Sequence, residues 1–174
     1  MSKQIDDMLM LSRIIRSEMQ IEKVDLSAIA LNFASELKQG QPQRKVEFVI
    51  QEGIIVEGDR NLLEEVILNL MRNAWKFSSK HDTALIEVGS VDILGENVYF
   101  VKDDGAGFDM KYAEKLFMPF RRMHSEAEFP GNGIGLATVQ RIIRRHGGRI
   151  WAESAVEKGT AIYFTVGLAM CEGK

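Results

Sequence analysis

The sequence holds a single cysteine, Cys171, close to its end. One cysteine excludes an internal disulfide and any multi-cysteine zinc or iron–sulfur site, and it fits a reducing compartment. Also missing is any run of about 18 apolar residues, so no segment reads as a membrane span or membrane contact. The opening Met1-Ser2-Lys3-Gln4-Ile5-Asp6-Asp7 lacks the apolar core of a signal peptide. A cytoplasmic setting is therefore expected, with a soluble or a membrane-anchored parent equally compatible. There is no basic excess: 22 Lys and Arg stand against 25 Asp and Glu, a net charge of -3. Nucleic-acid binding is accordingly not expected. Internal repeats and low-complexity tracts are absent. What remains is 174 residues, 45% hydrophobic and 27% charged, which suits one ordinary domain or one domain with a short appendage. Such a chain buries enough surface to fold without disulfides or metal.

Residues 3 to 21 read as a helix. Ile5, Met8, Ser12, Ile15 and Met19 follow steps of three and four, and Leu9 and Leu11 widen the apolar face. The face suits packing on its own domain, or one arm of a coiled-coil or four-helix dimer. Asp25 or Ser27 caps a second helix to about Gln39, ended by Gly40-Gln41-Pro42. Lys45 to Ile50 and Gly53 to Glu57 read as short strands. Asp59 then caps a long helix carrying Leu62, Leu63, Val66, Ile67, Leu70, Met71 and Ala74 at helical spacing. Strands follow at Ala84 to Leu94 and Val98 to Lys102, turning at Gly95-Glu96-Asn97. After an irregular, glycine-punctuated stretch from 104 to 133, Ile134 to His146 forms a helix stopped by Gly147-Gly148. Arg149 to Ser154 and Thr160 to Val166 pair around Lys158-Gly159. Regular strand–helix–strand alternation is absent, so the class is α+β, a mixed sheet with helices on one face.

Three patterns carry potential chemistry. Gly131-Asn132-Gly133-Ile134-Gly135-Leu136 opens a helix, where close backbone approach and unpaired N–H groups suit phosphate. Its spacing is not that of the dinucleotide fingerprint, and no P-loop occurs. Asp103-Asp104-Gly105-Ala106-Gly107-Phe108 follows a strand; a carboxylate there accepts from an exocyclic amine such as that of adenine. On the long helix, Asn69, Asn73 and Lys76 share a face. Asn73 offers an amide oxygen to Mg²⁺, and Lys76 a point charge to phosphate. Taken singly, each pattern has a plainer reading: a flexible loop, a turn, and a solvated helix face.

Taken in order, the three patterns make the chain resemble the catalytic and ATP-binding domain of sensor histidine kinases, of the GHKL superfamily and its Bergerat fold. Leu68 to Phe77 matches the family's N box, Asp103 to Phe108 its first glycine box and Gly131 to Ala137 its second. Lys115-Leu116-Phe117-Met118-Pro119-Phe120 resembles the phenylalanine box that begins the ATP lid, and Lys158-Gly159-Thr160 the last glycine-containing element. The wording is closest to phytochrome-type and related soluble sensor kinases. The resemblance covers about Asp25 to Leu168. It implies a two-layer α/β sandwich with a lid between Pro119 and Gly131, and a segment 124 to 133 that is disordered without nucleotide. It also divides the chain into a partial dimerisation-hairpin helix (1–22) and an ATP-binding catalytic domain (23–174).

Residue by residue, the resemblance implies that Asp103 takes the adenine amine, with Gly105 and Gly107 giving the base room. Asn73 ligates Mg²⁺, Asn69 supports that site, and Lys76 and Arg122 meet phosphate. Gly131, Gly133 and Gly135 wrap the triphosphate, and Phe120, Leu136 and Thr160 belong to the same cofactor-binding set. Asp104 departs from the Asn more usual in the family, adding negative charge near the base. In the hydrolytic ATPases of the superfamily a Glu four residues before the metal-binding Asn activates water. Here that place is Asn69, and an amide is no general base. The expected activity is therefore transfer of the ATP γ-phosphate to a histidine, with little hydrolysis. His81, His124 and His146 lack the context of a phosphoacceptor. Residues 3 to 21 resemble the second helix of the dimerisation hairpin, so the chain is expected to be a fragment unable to autophosphorylate. The implied partners are a histidine-bearing hairpin of a homodimeric parent and a response-regulator receiver domain. Arg121, Arg122, Arg141, Arg144, Arg145 and Arg149 read as a solvated face or as a steering patch. Competing readings are an autonomous GHKL ATPase, an anti-sigma-type serine kinase, and a non-catalytic interaction module.

Overall fold

The computed structural model describes residues 18–118 and 135–167, together with Ile5, Leu9, Ser12 and Arg13. Those four are helical, but residues 18–20 are not, and Ile21 already opens a strand. The helix expected to reach residue 21 is therefore over by Glu18. The cause is the pull of a second segment: β1 (Ile21–Asp25) pairs antiparallel with β3 (Ile55–Asp59), Ile21 opposite Asp59. The Gln20 N–H also donates to the Asp59 carboxylate at 3.0 Å. The expected lid, with Phe120, Arg122, His124, Gly131 and Gly133, lies outside the described residues, as does Cys171.

Asp25 caps α1 (Leu26–Gly40), its side chain accepting from the Ala28 N–H at 3.0 Å. Ser27 is not the cap. Its buried hydroxyl donates to Gln51 O and accepts from Ile54 N–H, stitching the helix start to the turn that precedes β3. Asp59 caps α2 (Arg60–Phe77) through the Leu62 N–H. Leu63, Val66, Ile67, Leu70, Met71, Ala74 and Trp75 form its buried face, each large side chain contributing roughly 1.5–3 kcal/mol of burial.

The main sheet has five strands in the order β2-β4-β5-β7-β6: β2 (Lys45–Ile50), β4 (Thr83–Ile93), β5 (Glu96–Asp103), β7 (Gly159–Phe164) and β6 (Ile150–Ala155). The β2–β4 pair is parallel and the others antiparallel. β3 leaves this sheet to pair with β1, so two strands close in sequence belong to different sheets. The β4–β5 turn sits on Leu94-Gly95, one residue earlier than the sequence suggested, since Ile93 faces Glu96. Both turn residues have positive φ (53° and 84°), the geometry of a tight two-residue hairpin. The row Ile50, Val88, Val101, Ile162, Ala152 runs across one face of the sheet. That face packs against the core with α1, α2 and α3 (Gly135–Arg145). The fold is thus the mixed α/β arrangement expected, a five-stranded mixed sheet under helices. None of the described helices is long and apolar enough to cross a membrane.

His146, fully buried, joins the end of α3 to the start of α2. Its Nδ1 lies 2.8 Å from Ile142 O and its Nε2 accepts from the Asp59 N–H at 3.0 Å. The ring is therefore neutral with its proton on Nδ1. A Cβ at Gly58 would stand 2.8 Å from this ring, so glycine is needed there. Burial pushes the imidazole pKa below its usual 6.5. Below that pH the unfolded chain takes up a proton that the native ring refuses, so stability is lost on acidification. Urea unfolding across pH 5 to 7 is expected to show a smaller acid loss in His146→Asn than in the parent; parallel profiles would contradict the assignment.

Candidate functional site

The site lies where the helix α2, the loop after β5 and the β6–β7 hairpin meet. Register places Phe48, Ile86, Asp103, Thr160 and Ser154 in one row across the sheet. Partners in a ladder share a face, so Asp103, Thr160 and Ser154 lie together on the helix-covered side. Asp103 is 9% exposed and its Oδ1 accepts from the Gly105 N–H at 2.8 Å. Burial, with a smaller push from Asp104, raises its pKa from 3.8 to about 7, against the pull of the Gly105 and Thr160 backbone N–H groups. Asp104 itself is exposed and accepts from the Leu85 N–H at 3.1 Å, capping the start of β4.

Sequence alone suggested that the glycines of this loop make room for a ligand. The structure adds a tighter constraint, imposed by the protein itself. The Ala106 N–H donates to Phe77 O at 2.9 Å, and a side chain at Gly105 would run into that same carbonyl. Gly107 has φ +64°, and its missing side chain would collide with Ala155 O. The Glu157 N–H donates to Ala106 O from the other side. The loop is clamped between the end of α2 and the β6–β7 turn.

On α2, Asn69, Asn73 and Lys76 are all half-buried on the expected face. Asn69 Nδ2 donates to Glu65 O at 2.9 Å, which leaves Oδ1 facing the first residue of α3. There a Cβ on Gly135 would approach that oxygen to 3.0 Å. The first residues of α3, Gly135 and half-buried Leu136, thus sit against the N-box helix. Lys76 Nζ lies over the Phe77 ring, 4.8 Å from its centroid. Three contributors were not legible as such. Arg44 donates from Nη1 to Trp75 O at 2.7 Å and stacks on the Trp75 ring at 4.2 Å, covering the end of α2. His146, bonded to the cap residue Asp59, fixes its beginning, and Ser154 bonds the loop to the hairpin. Of the basic residues, Arg149 forms a two-pronged pair with Glu96 and stands over Trp151 rather than facing the site.

Residues 58–170 match the family described as histidine kinase-, DNA gyrase B-, and HSP90-like ATPase. The chain belongs to this family. Its relatives include phytochromes and sensor histidine kinases. Cyanobacterial phytochrome B of Nostoc sp. is 33% identical over 93% of this chain and 22% of its own length. The methanogenesis regulatory histidine kinase FilI of Methanothrix harundinacea is 36% identical over 93% of this chain and 18% of its own. The chain therefore spans about a fifth of these relatives. Among solved structures, the mycobacterial sensor histidine kinase MprB superposes with a TM-score of 0.69 at 25% identity, covering 83% of this chain and 97% of that one. The domain is thus an ATP-binding catalytic domain of the histidine-kinase type, as the resemblance implied.

The clamp at the first glycine box makes a direct prediction. Gly107→Ala combines a left-handed backbone with a collision against Ala155 O, and roughly 2 kcal/mol or more of stability is expected to be lost. Denaturant unfolding of the variant at parental stability would refute the clamp.

Proposed function

We propose that this domain transfers the γ-phosphate of ATP to a histidine on another element, using the residue roles that the family resemblance implies. The observation that carries the reading is the meeting of the two boxes: the Ala106 N–H to Phe77 O bond brings the Asp103 loop against the end of the helix bearing Asn69, Asn73 and Lys76. In this reading Asp103, at the end of β5, accepts the adenine amine with Thr160 beside it. The half-buried face of α2 and the first turn of α3 take the phosphates, together with Phe120, Arg122, Gly131 and Gly133.

Among the described residues, no three His, Cys, Asp or Glu side chains come together to hold a metal. A Mg²⁺ held chiefly by phosphate oxygens, with Asn73 as a protein ligand, fits this donor set. When bound it would neutralise phosphate charge during transfer. Asn69 supplies no base for water, its amide nitrogen being bonded to Glu65 O. Of the described histidines, His146 is sealed in the core with both ring nitrogens engaged, and His81 lies 4.0 Å from Glu157 at the surface. As the family resemblance implies, the acceptor in this reading is a histidine-bearing dimerisation hairpin, and a receiver domain takes the phosphate onward. The helical residues Ile5, Leu9, Ser12 and Arg13 belong, in this reading, to the second arm of that hairpin.

Two outcomes test this function. With radiolabelled Mg-ATP the chain alone is expected to release phosphate slowly, and label should appear on an added histidine hairpin; fast phosphate release would favour a hydrolytic ATPase, and labelled serine an anti-sigma-type kinase. Nucleotide affinity should also depend on Asp103. A carboxylate accepts from the adenine amine more strongly than a neutral acid does, and with a pKa of about 7 the ionised share of Asp103 rises about ten-fold from pH 6 to 8. Calorimetric affinity for an imido ATP analogue is expected to rise across that range, and Asp103→Asn to bind weakly with a flatter profile. A parent that folds and binds no nucleotide would favour the interaction-module reading.

A further inference from the structure

Ser154 stands on β6 in the same sheet row as Asp103 and Thr160, and its hydroxyl makes three contacts. It donates to Gly159 O at 2.7 Å, accepts from the Phe108 N–H at 2.9 Å, and lies 2.8 Å from Thr160 Oγ1. A serine hydroxyl has one proton and two lone pairs. A carbonyl oxygen only accepts, so the serine proton goes to Gly159; an N–H only donates, so one lone pair goes to Phe108. The remaining lone pair must accept from Thr160. The Thr160 hydroxyl proton is thereby committed, and Thr160 Oγ1 turns only lone pairs toward its other neighbours.

We propose that Ser154 is a positioning residue for base selectivity, holding Thr160 Oγ1 as a hydrogen-bond acceptor beside the Asp103 carboxylate. The inference rests on the reading that Asp103 and Thr160 line the base site. Two acceptors side by side match a purine whose six-position carries an amine. They oppose one whose six-position carries a carbonyl oxygen, which would meet lone pairs and find no donor. Without Ser154 the Thr160 proton is released to rotate and donate to such a carbonyl. The same serine joins the loop at Phe108 to the hairpin at Gly159, so its removal also loosens the site. Selectivity is the readout that mere loosening does not move.

The test measures calorimetric affinities for the Mg²⁺ complexes of the imido analogues of ATP and inosine triphosphate. It is run at pH 8.5, where the Asp103 carboxylate is ionised. One hydrogen bond gained by the inosine base corresponds to about a ten-fold change. The ATP-to-inosine affinity ratio is expected to fall about ten-fold in Ser154→Ala and to return toward the parental value in Ser154→Thr. A uniform weakening of both ligands with an unchanged ratio would overturn the proposal while leaving the base site in place. Failure of the parent to bind either ligand would instead remove the base-site reading. A second measurement needs no variant: nuclear magnetic resonance of the parent should show the Thr160 hydroxyl proton in slow exchange and directed at Ser154. A Thr160 proton directed elsewhere would overturn the proposal, whether or not the alanine variant folds.

Discussion

The hydrogen bond from the Ala106 N–H to Phe77 O is the contact on which the site depends. It joins the last turn of α2 to the loop that leaves β5, two segments that the chain order keeps apart. An orphan carbonyl at a helix end needs a partner, and here the partner is the backbone of the loop that carries Asp103. Backbone-to-backbone contact at that distance leaves no space for Cβ atoms. Gly105 faces the same carbonyl, and Gly107 meets Ala155 O on the opposite flank. The glycines are thus demanded first by the protein's own packing, and the surface they leave for a base follows from it.

The other end of α2 is held with equal care. Asp59 uses one carboxylate oxygen for the Leu62 N–H and the other for the Gln20 N–H, while its own N–H goes to His146. One residue therefore gathers the helix start, the segment entering β1 and the end of α3. Arg44 and Ser78 cover the far end of the helix, where Ser78 Oγ bonds Ala74 O at 2.7 Å. With both ends fixed and its apolar face buried, α2 has little freedom to rotate or slide. Asn69, Asn73 and Lys76 lie between those two fixed points, and their placement is a consequence of them.

Much of this was legible in the residues. Asp25 and Asp59 are caps in the structure as in the sequence pattern, and the leucine-rich face of α2 is the buried one. β2 begins and ends where alternation placed it. The failures share a cause: each was decided by a partner distant in sequence. Nothing local in Ile21 to Asp25 announces a strand, because β1 exists only through β3. The β4–β5 turn moved onto Leu94 because the cross-strand register, with Ile93 opposite Glu96, overrode the preference for a polar residue at positive φ. Arg44, His146 and Ser154 carry no motif, and each acts across a long stretch of chain. The sequence shows only that His146 lacks the context of a phosphoacceptor; the neutral ring with two assigned bonds emerges only from packing.

The paired carboxylates show how one step along the chain separates two tasks. Asp103 points to the covered side of the sheet and is buried; Asp104 points away, is exposed, and spends an oxygen on the Leu85 N–H. Asp103 is the last residue of β5 and Asp104 the first beyond it, so the strand's end makes this division without any further device. The exposed charge still acts on the buried one, pushing its pKa in the same direction as burial, while two backbone N–H groups pull it back. An acceptor poised in this way gains from an additional donor once it is ionised, and an exocyclic amine is such a donor. An amide at position 104 would keep an oxygen for the Leu85 N–H and withdraw the charge, lowering the Asp103 pKa. The acidic residue therefore leaves the contact intact and moves the pH at which it becomes available.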